Sequence, residues 1–112
     1  MKITTISSKP IFFCCAILVS QLSYGQAYFR DGNDLYRSYT STNPLSNGFA
    51  AGYVTGVIDA LGNNKLKGCP LVGKEIGQLS DIVKMYLQDK PEIRDRVAAI
   101  IVETALKEKL KC

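Results

Sequence analysis

Histidine is absent from the 112 residues, and so is tryptophan. Without an imidazole there is no Ser-His or Cys-His nucleophile pair and no His-based catalytic zinc site. A strong excess of one charge is also missing. Lys2 and Lys9 lie in the first ten residues, and setting them aside leaves twelve Lys and Arg against ten Asp and Glu. So even a balance lacks the electrostatic footprint of a nucleic-acid binder. There is no glycine-rich phosphate loop, no nucleophile elbow and no cluster with metal-ligand spacing. No enzyme activity, cofactor or metal is therefore expected. Internal repeats and linkers are lacking too, and the length suits one domain.

What is present begins with a leader. Met1 to Pro10 is basic without an acid, Ile11 to Val19 is an apolar run, and Ser20-Gln21 closes it. A positive start, a short apolar middle and small residues near the end are the parts of a secretory signal peptide. Residues 1–27 are read as that leader, with cleavage after Gly25 or Ala27, and 28–112 as the domain. The run is short of the ~20 residues needed to span a bilayer, so no stable membrane anchor is expected. The competing reading is a buried N-terminal helix.

Removing the leader takes Cys14 and Cys15 with it and leaves Cys69 and Cys112. In an exported protein an even pair reads as a disulfide. It would close a long loop, worth about 4 kcal/mol as an entropic upper estimate. It would also hold the last residue, which would otherwise fray.

The remaining pattern is helical. Asp31 to Ser41 carries Leu35, Tyr36 and Tyr39 at helical spacing, and Asn43-Pro44 stops it. Ser46 or Asn47 is expected to cap a second helix reaching Leu61, with Phe49, Tyr53, Val57 and Ala60 as its buried stripe. Gly62-Asn63-Asn64 would end it through a left-handed residue. After a loop to Gly73, a third helix over Lys74–Asp89 presents Ile76, Leu79, Val83, Tyr86 and Leu87. Pro91 opens a fourth, running to Leu110, whose Val97–Val102 stretch is apolar all round and expected to be enclosed. The fold expected is all-α: a compact single-domain bundle of about four helices stapled by one disulfide.

Within the second helix, Gly52, Thr55, Gly56 and Asp59 share one side. Two helical glycines cost about 1 kcal/mol each relative to alanine. Close approach of another helix is the expected compensation, making Gly52, Tyr53, Gly56 and Asp59 structural, with Asp59 capping or pairing inside the bundle; a functional carboxylate at Asp59 is the alternative. Glu92–Arg96 and Glu103–Lys107 have the i, i+4 spacing of solvated helix pairs. Tyr28, Tyr36 and Tyr39 gather near the mature N-terminus, as an interface or as core.

Gly32-Asn33-Asp34-Leu35, then Ala51 to Asp59, Cys69-Pro70, Gln78-Leu79, Ile82-Val83, Tyr86-Leu87, Pro91 and Cys112 together resemble the Rap/Tai-type immunity proteins. The resemblance spans nearly the whole mature chain. It implies a small exported helical protein of Gram-negative bacteria that protects the periplasm from peptidoglycan amidases delivered by type VI secretion. Relatives often carry a second cysteine pair, and Tyr36–Tyr39 and Phe49–Ala51 hold no cysteine here, so one bridge is expected. The implied mechanism is steric: a stapled bundle, as a homodimer, covers the cleft of a cysteine amidase. Asn63, Asn64, Lys65 and Lys67, in the connection between helices two and three, are the expected contacts.

Two other classes fit the same composition: a periplasmic acid-stress chaperone and an envelope-assembly subunit. Without histidine, a chaperone of that kind would have to sense acid through carboxylates, near or below pH ~4.

Overall fold

The computed structural model describes residues 29–112. The expected leader and Tyr28 lie outside them. Four α-helices follow in order, α1 (Gly32–Thr40), α2 (Pro44–Leu61), α3 (Ile76–Asp89) and α4 (Ala98–Leu110), with a 3-10 turn at Pro91–Ile93 between the last two. Each helix touches the other three. The all-α bundle and its single disulfide, Cys69–Cys112, are as the sequence implied. Among the described residues no helix is long and apolar enough to cross a membrane.

Helix α1 starts where Asp31 accepts a hydrogen bond from the Asp34 amide at 3.0 Å, a side-chain cap on an otherwise unpaired donor. It buries Leu35 and Tyr39, one turn apart. Helix α2 begins earlier than expected. Pro44 occupies its first turn and Asn43, not Ser46 or Asn47, supplies the cap by accepting from the Leu45 amide at 3.0 Å. Asn47 is engaged elsewhere: its amide nitrogen donates to the carbonyls of Ser38, Tyr39 and Ser41 at 3.0–3.1 Å. That ties the start of α2 to the end of α1.

The buried face of α2 is a correction. It is Ala50, Val54 and Ile58, one position on from the expected stripe. Phe49 is 62% exposed, Ala60 is exposed, and Tyr53 and Val57 sit half-buried at the margin. The helix is apolar nearly all round, so hydropathy alone does not choose a face. Ala50, fully buried, lets this side of the helix come close to its neighbours.

Gly62 is also not the left-handed stop. It is right-handed (φ −55°, ψ −40°) and its amide donates to the Ile58 carbonyl at 2.8 Å. The chain leaves α2 through successive turns, and the left-handed positions come later, at Gly68 (φ +90°) and Gly73 (φ +85°). Leu66, unremarked in the sequence, is buried to 1% exposure in the middle of this connection. Helix α3 opens two residues later than expected, where the Glu75 amide donates to the Gln78 side chain at 3.2 Å. It buries Leu79, Ser80, Val83 and Leu87, while Ile76 stays 42% exposed. The Tyr39 phenol meets the Ser80 hydroxyl at 2.7 Å, a buried polar link between α1 and α3.

The expected fourth helix is split. Backbone amides at the start of α1 take carbonyls from the segment before α4: Gly32 N–H donates to Arg96 at 3.0 Å and Asn33 N–H to Arg94 at 2.8 Å. Asp31 and Val97 form an isolated antiparallel bridge. Carbonyls turned toward α1 are lost to a helical ladder, so α4 waits until Ala98. Arg94 completes the joint, lying over the Tyr36 ring at 3.8 Å and donating from Nε to the Leu87 carbonyl at 2.7 Å. In the apolar stretch that follows, Ala98, Ile101 and Val102 are buried, but Val97 and Ile100 are each 53% exposed, so it is enclosed on one side only.

Candidate partner-binding surfaces

Two surfaces stand out, one just beyond the end of α2 and one along its outer face. The first is the connection between α2 and α3. Asn63, Asn64, Lys65 and Lys67 are all exposed. Their backbone is held by short turns, with Leu66 N–H donating to Leu61 at 3.0 Å, Lys67 N–H to Asn64 at 3.1 Å and Cys69 N–H to Leu66 at 3.0 Å. Leu66 anchors the segment in the core, between the two lysines. Three residues on, Cys69 is bonded to Cys112, whose amide donates to the Lys107 carbonyl at 3.1 Å. The result is a polar, basic loop on a fixed base, a form suited to entering a cleft with little ordering cost.

The second surface is the outer face of α2. Gly48, Gly52 and Gly56 recur every four residues, all exposed, and a methyl group added at any of them would meet nothing within 4 Å. Among the described residues no helix packs there. The neighbouring helix expected at Gly52 and Gly56 is thus not among the described elements, and Asp59, expected inside the bundle, is exposed on the same helix. Tyr53 is half-buried against Phe29, ring centroids 5.1 Å apart and edge to face, and burial pushes its phenol pKa up. Leu45 and Phe49 are exposed nearby.

Between this face and α1 lies an open groove of about 1060 Å³ whose lining includes Phe29, Asp34, Arg37, Ser46, Phe49 and Tyr53. Asp34 was quoted in the sequence only as part of the family string, with no role. One carboxylate oxygen accepts from Arg37 Nη1 at 3.1 Å. The other is buried with no hydrogen-bond donor among the described residues, and Arg30 Nε lies 3.6 Å from it. The i, i+4 and i, i+3 spacing of Arg30, Asp34 and Arg37 is the signal that marks this cluster.

On the far side, Glu108 joins two elements, accepting from the Tyr86 phenol at 2.8 Å and from Lys90 at 3.2 Å. Those hydrogen bonds hold its carboxyl pKa below the usual range, and Lys90 is raised by the same contact. Of the two charge pairs read from spacing, Glu103–Lys107 forms at 2.8 Å, while Glu92 and Arg96 are not within ion-pair distance. Among the described residues, no three His, Cys, Asp or Glu side chains gather as metal ligands would.

A family model, that of the Rap1a immunity proteins, matches residues 31–112. Among curated proteins and among solved structures there is no match.

Proposed function

From the premise that the chain belongs to the Rap1a immunity protein family, we propose that it is exported to the periplasm and there sterically inhibits a peptidoglycan amidase delivered by type VI secretion. The observation that carries this reading is the α2–α3 connection. Asn63, Asn64, Lys65 and Lys67 stand exposed on a backbone fixed by the buried Leu66 and the Cys69–Cys112 bridge. Inserted at the mouth of a substrate cleft, such a loop excludes the stem peptide without chemistry of its own. Few contacts need carry the affinity, because preorganised anchors lose little entropy on docking.

The outer face of α2 is assigned to a second copy of the chain. Three open glycines at four-residue spacing let two helix backbones approach closely, and Asp34 and Arg37 in the adjoining groove place both charges where a two-fold related copy can offset them. Sedimentation of the purified protein tests this: a monomer at high micromolar concentration removes the dimer from the proposal.

The decisive experiment is a titration of the mature protein into a type VI peptidoglycan amidase from the same organism, following stem-peptide hydrolysis. Activity is expected to disappear at one equivalent. Lys65→Glu with Lys67→Glu is expected to weaken inhibition at least tenfold. Full hydrolysis at a large excess of the protein overturns the amidase target, and acid-triggered monomerisation with client binding would move the function to a chaperone.

A further inference from the structure

The α2–α3 loop is not the whole of the basic surface at its end of the bundle. From Ala60 to Lys74 the chain carries Lys65, Lys67 and Lys74 and no acid. The last turn of α4 adds Lys109, and Lys111 follows just past its end, both exposed. None of these five lysines is ion-paired among the described residues, whose four salt bridges use other cations. The acids of α4 are already engaged: Glu103 by Lys107, and Glu108 by Lys90 and Tyr86. Glu75, Asp59 and the partnered Glu108 are the carboxylates nearest in sequence to either segment.

These two groups of lysines come together through the disulfide. Cys69 and Cys112 are 43 residues apart in sequence, and their Cα atoms are 5.0 Å apart. With 3.8 Å between successive Cα atoms, Lys67 and Lys111 are held within about 16 Å of each other at most. Beyond Leu66 the backbone hydrogen bonds of the connection are local: Cys69 to Leu66, Leu71 to Cys69, Lys74 to Leu71. The segment includes the left-handed Gly68 and Gly73. Lys111 is itself left-handed (φ 55°), a conformation that a lysine seldom keeps unaided, and the next residue is the bridged Cys112. Leu66, Leu71 and Leu110 pack each segment on the core, and the covalent bond is what ties the two segments directly to each other.

We infer that the Cys69–Cys112 bridge assembles the loop lysines and the α4 lysines into one cationic docking surface for an acidic protein face, and that reduction dismantles this surface while the helical core persists. The inference rests on the proposed immunity reading for the identity of the partner, whose docking face would have to be acidic to complement these lysines. It adds a condition: the protein is a competent inhibitor only after oxidation. A reduced chain, as before export, would bind its partner poorly.

The test compares the oxidised mature protein with two variants, Cys69→Ser/Cys112→Ser and, with the bridge intact, Lys109→Glu/Lys111→Glu. Amide hydrogen exchange of the serine variant is expected to speed up at least tenfold across residues 62–75 and 108–112, with Leu35–Tyr39 unchanged. Amidase inhibition is expected to weaken at least tenfold in both variants, and its dependence on salt to flatten in the glutamate variant. Inhibition within twofold of the parent in either variant overturns the inference. Loss of helices in the serine variant overturns the persistence of the core without the bridge, and the glutamate variant then judges the cationic surface by the same criterion. If the parent itself fails to inhibit the amidase, the amidase target falls. The exchange comparison then judges the bridge separately: equal protection across 62–75 overturns its assembling role.

Discussion

Glycine does opposite things in two regions of this molecule. Gly32, at the start of α1, is buried against the segment before α4. An added methyl there would run into the Ile101 side chain and lie 2.9 Å from the backbone of Arg94. Gly52 and Gly56, in the middle of α2, face open space. In the sequence the second pair looked like the packed one, because two glycines in a helix need compensation. Among the described residues the compensation is absent at α2 and present at Gly32, where two backbone hydrogen bonds from α1 reach Arg94 and Arg96. A tight joint holds the fold at one place, and at the other an uncovered face is left for contact outside the chain.

The largest expected effect comes from closing the tight joint. Gly32→Ala has no room to relax against backbone, and should cost about 3 kcal/mol, which lowers Tm by roughly 12 °C or more for a domain of this size. Thermal melting followed by circular dichroism measures it, and a loss below about 1 kcal/mol would show that the joint can open.

Next in size is the buried polar link near the other end of α1. Tyr39→Phe removes the hydroxyl shared with Ser80 and should cost about 1–2 kcal/mol. The same group sets an alkaline limit. Burial pushes the Tyr39 phenol up to about 12, with Ser80 partly opposing the shift. A raised pKa means that its contribution to stability is complete below about pH 10 and is lost as the pH rises through 12. Denaturant melts between pH 8 and 12 should show this loss in the parent and a smaller one in Tyr39→Phe.

The open face should respond with the opposite sign. Gly52→Ala and Gly56→Ala are each expected to stabilise the monomer by about 1 kcal/mol through helix propensity, since nothing clashes. In a chain that pairs through α2 they should also weaken the dimer, read by sedimentation at several concentrations. Stabilisation without any change in association would take the second copy off this face. Smallest of all, Glu103→Gln breaks the ion pair with Lys107 at the surface and should cost a few tenths of a kcal/mol. A loss above about 1 kcal/mol would place it in the joint's own network.

Much of the fold was readable because the punctuation is local. Asn43-Pro44 and Pro91 as boundaries act within a few residues, and the Cys69–Cys112 pair was read by setting Cys14 and Cys15 aside with the expected leader. The loop residues Asn63, Asn64, Lys65 and Lys67 lie on the surface, as their polarity implied, but the buried Leu66 between them did not announce itself: a single apolar residue among lysines has no periodicity to read. Arg94 was equally silent. Its value comes from meeting Tyr36 and the end of α3, contacts made across the fold.

Composition, helix punctuation and cysteine count thus determined the class, the number of helices and the staple, since each rests on covalent geometry or on short-range backbone preference. The choice of face on α2, the split before α4 and the exposure of Gly52, Gly56 and Asp59 were decided only by tertiary structure. Those features depend on which apolar surfaces reach one another first and on how closely small residues such as Ala50 and Gly32 let backbones approach. An evenly apolar helix leaves that outcome to its neighbours.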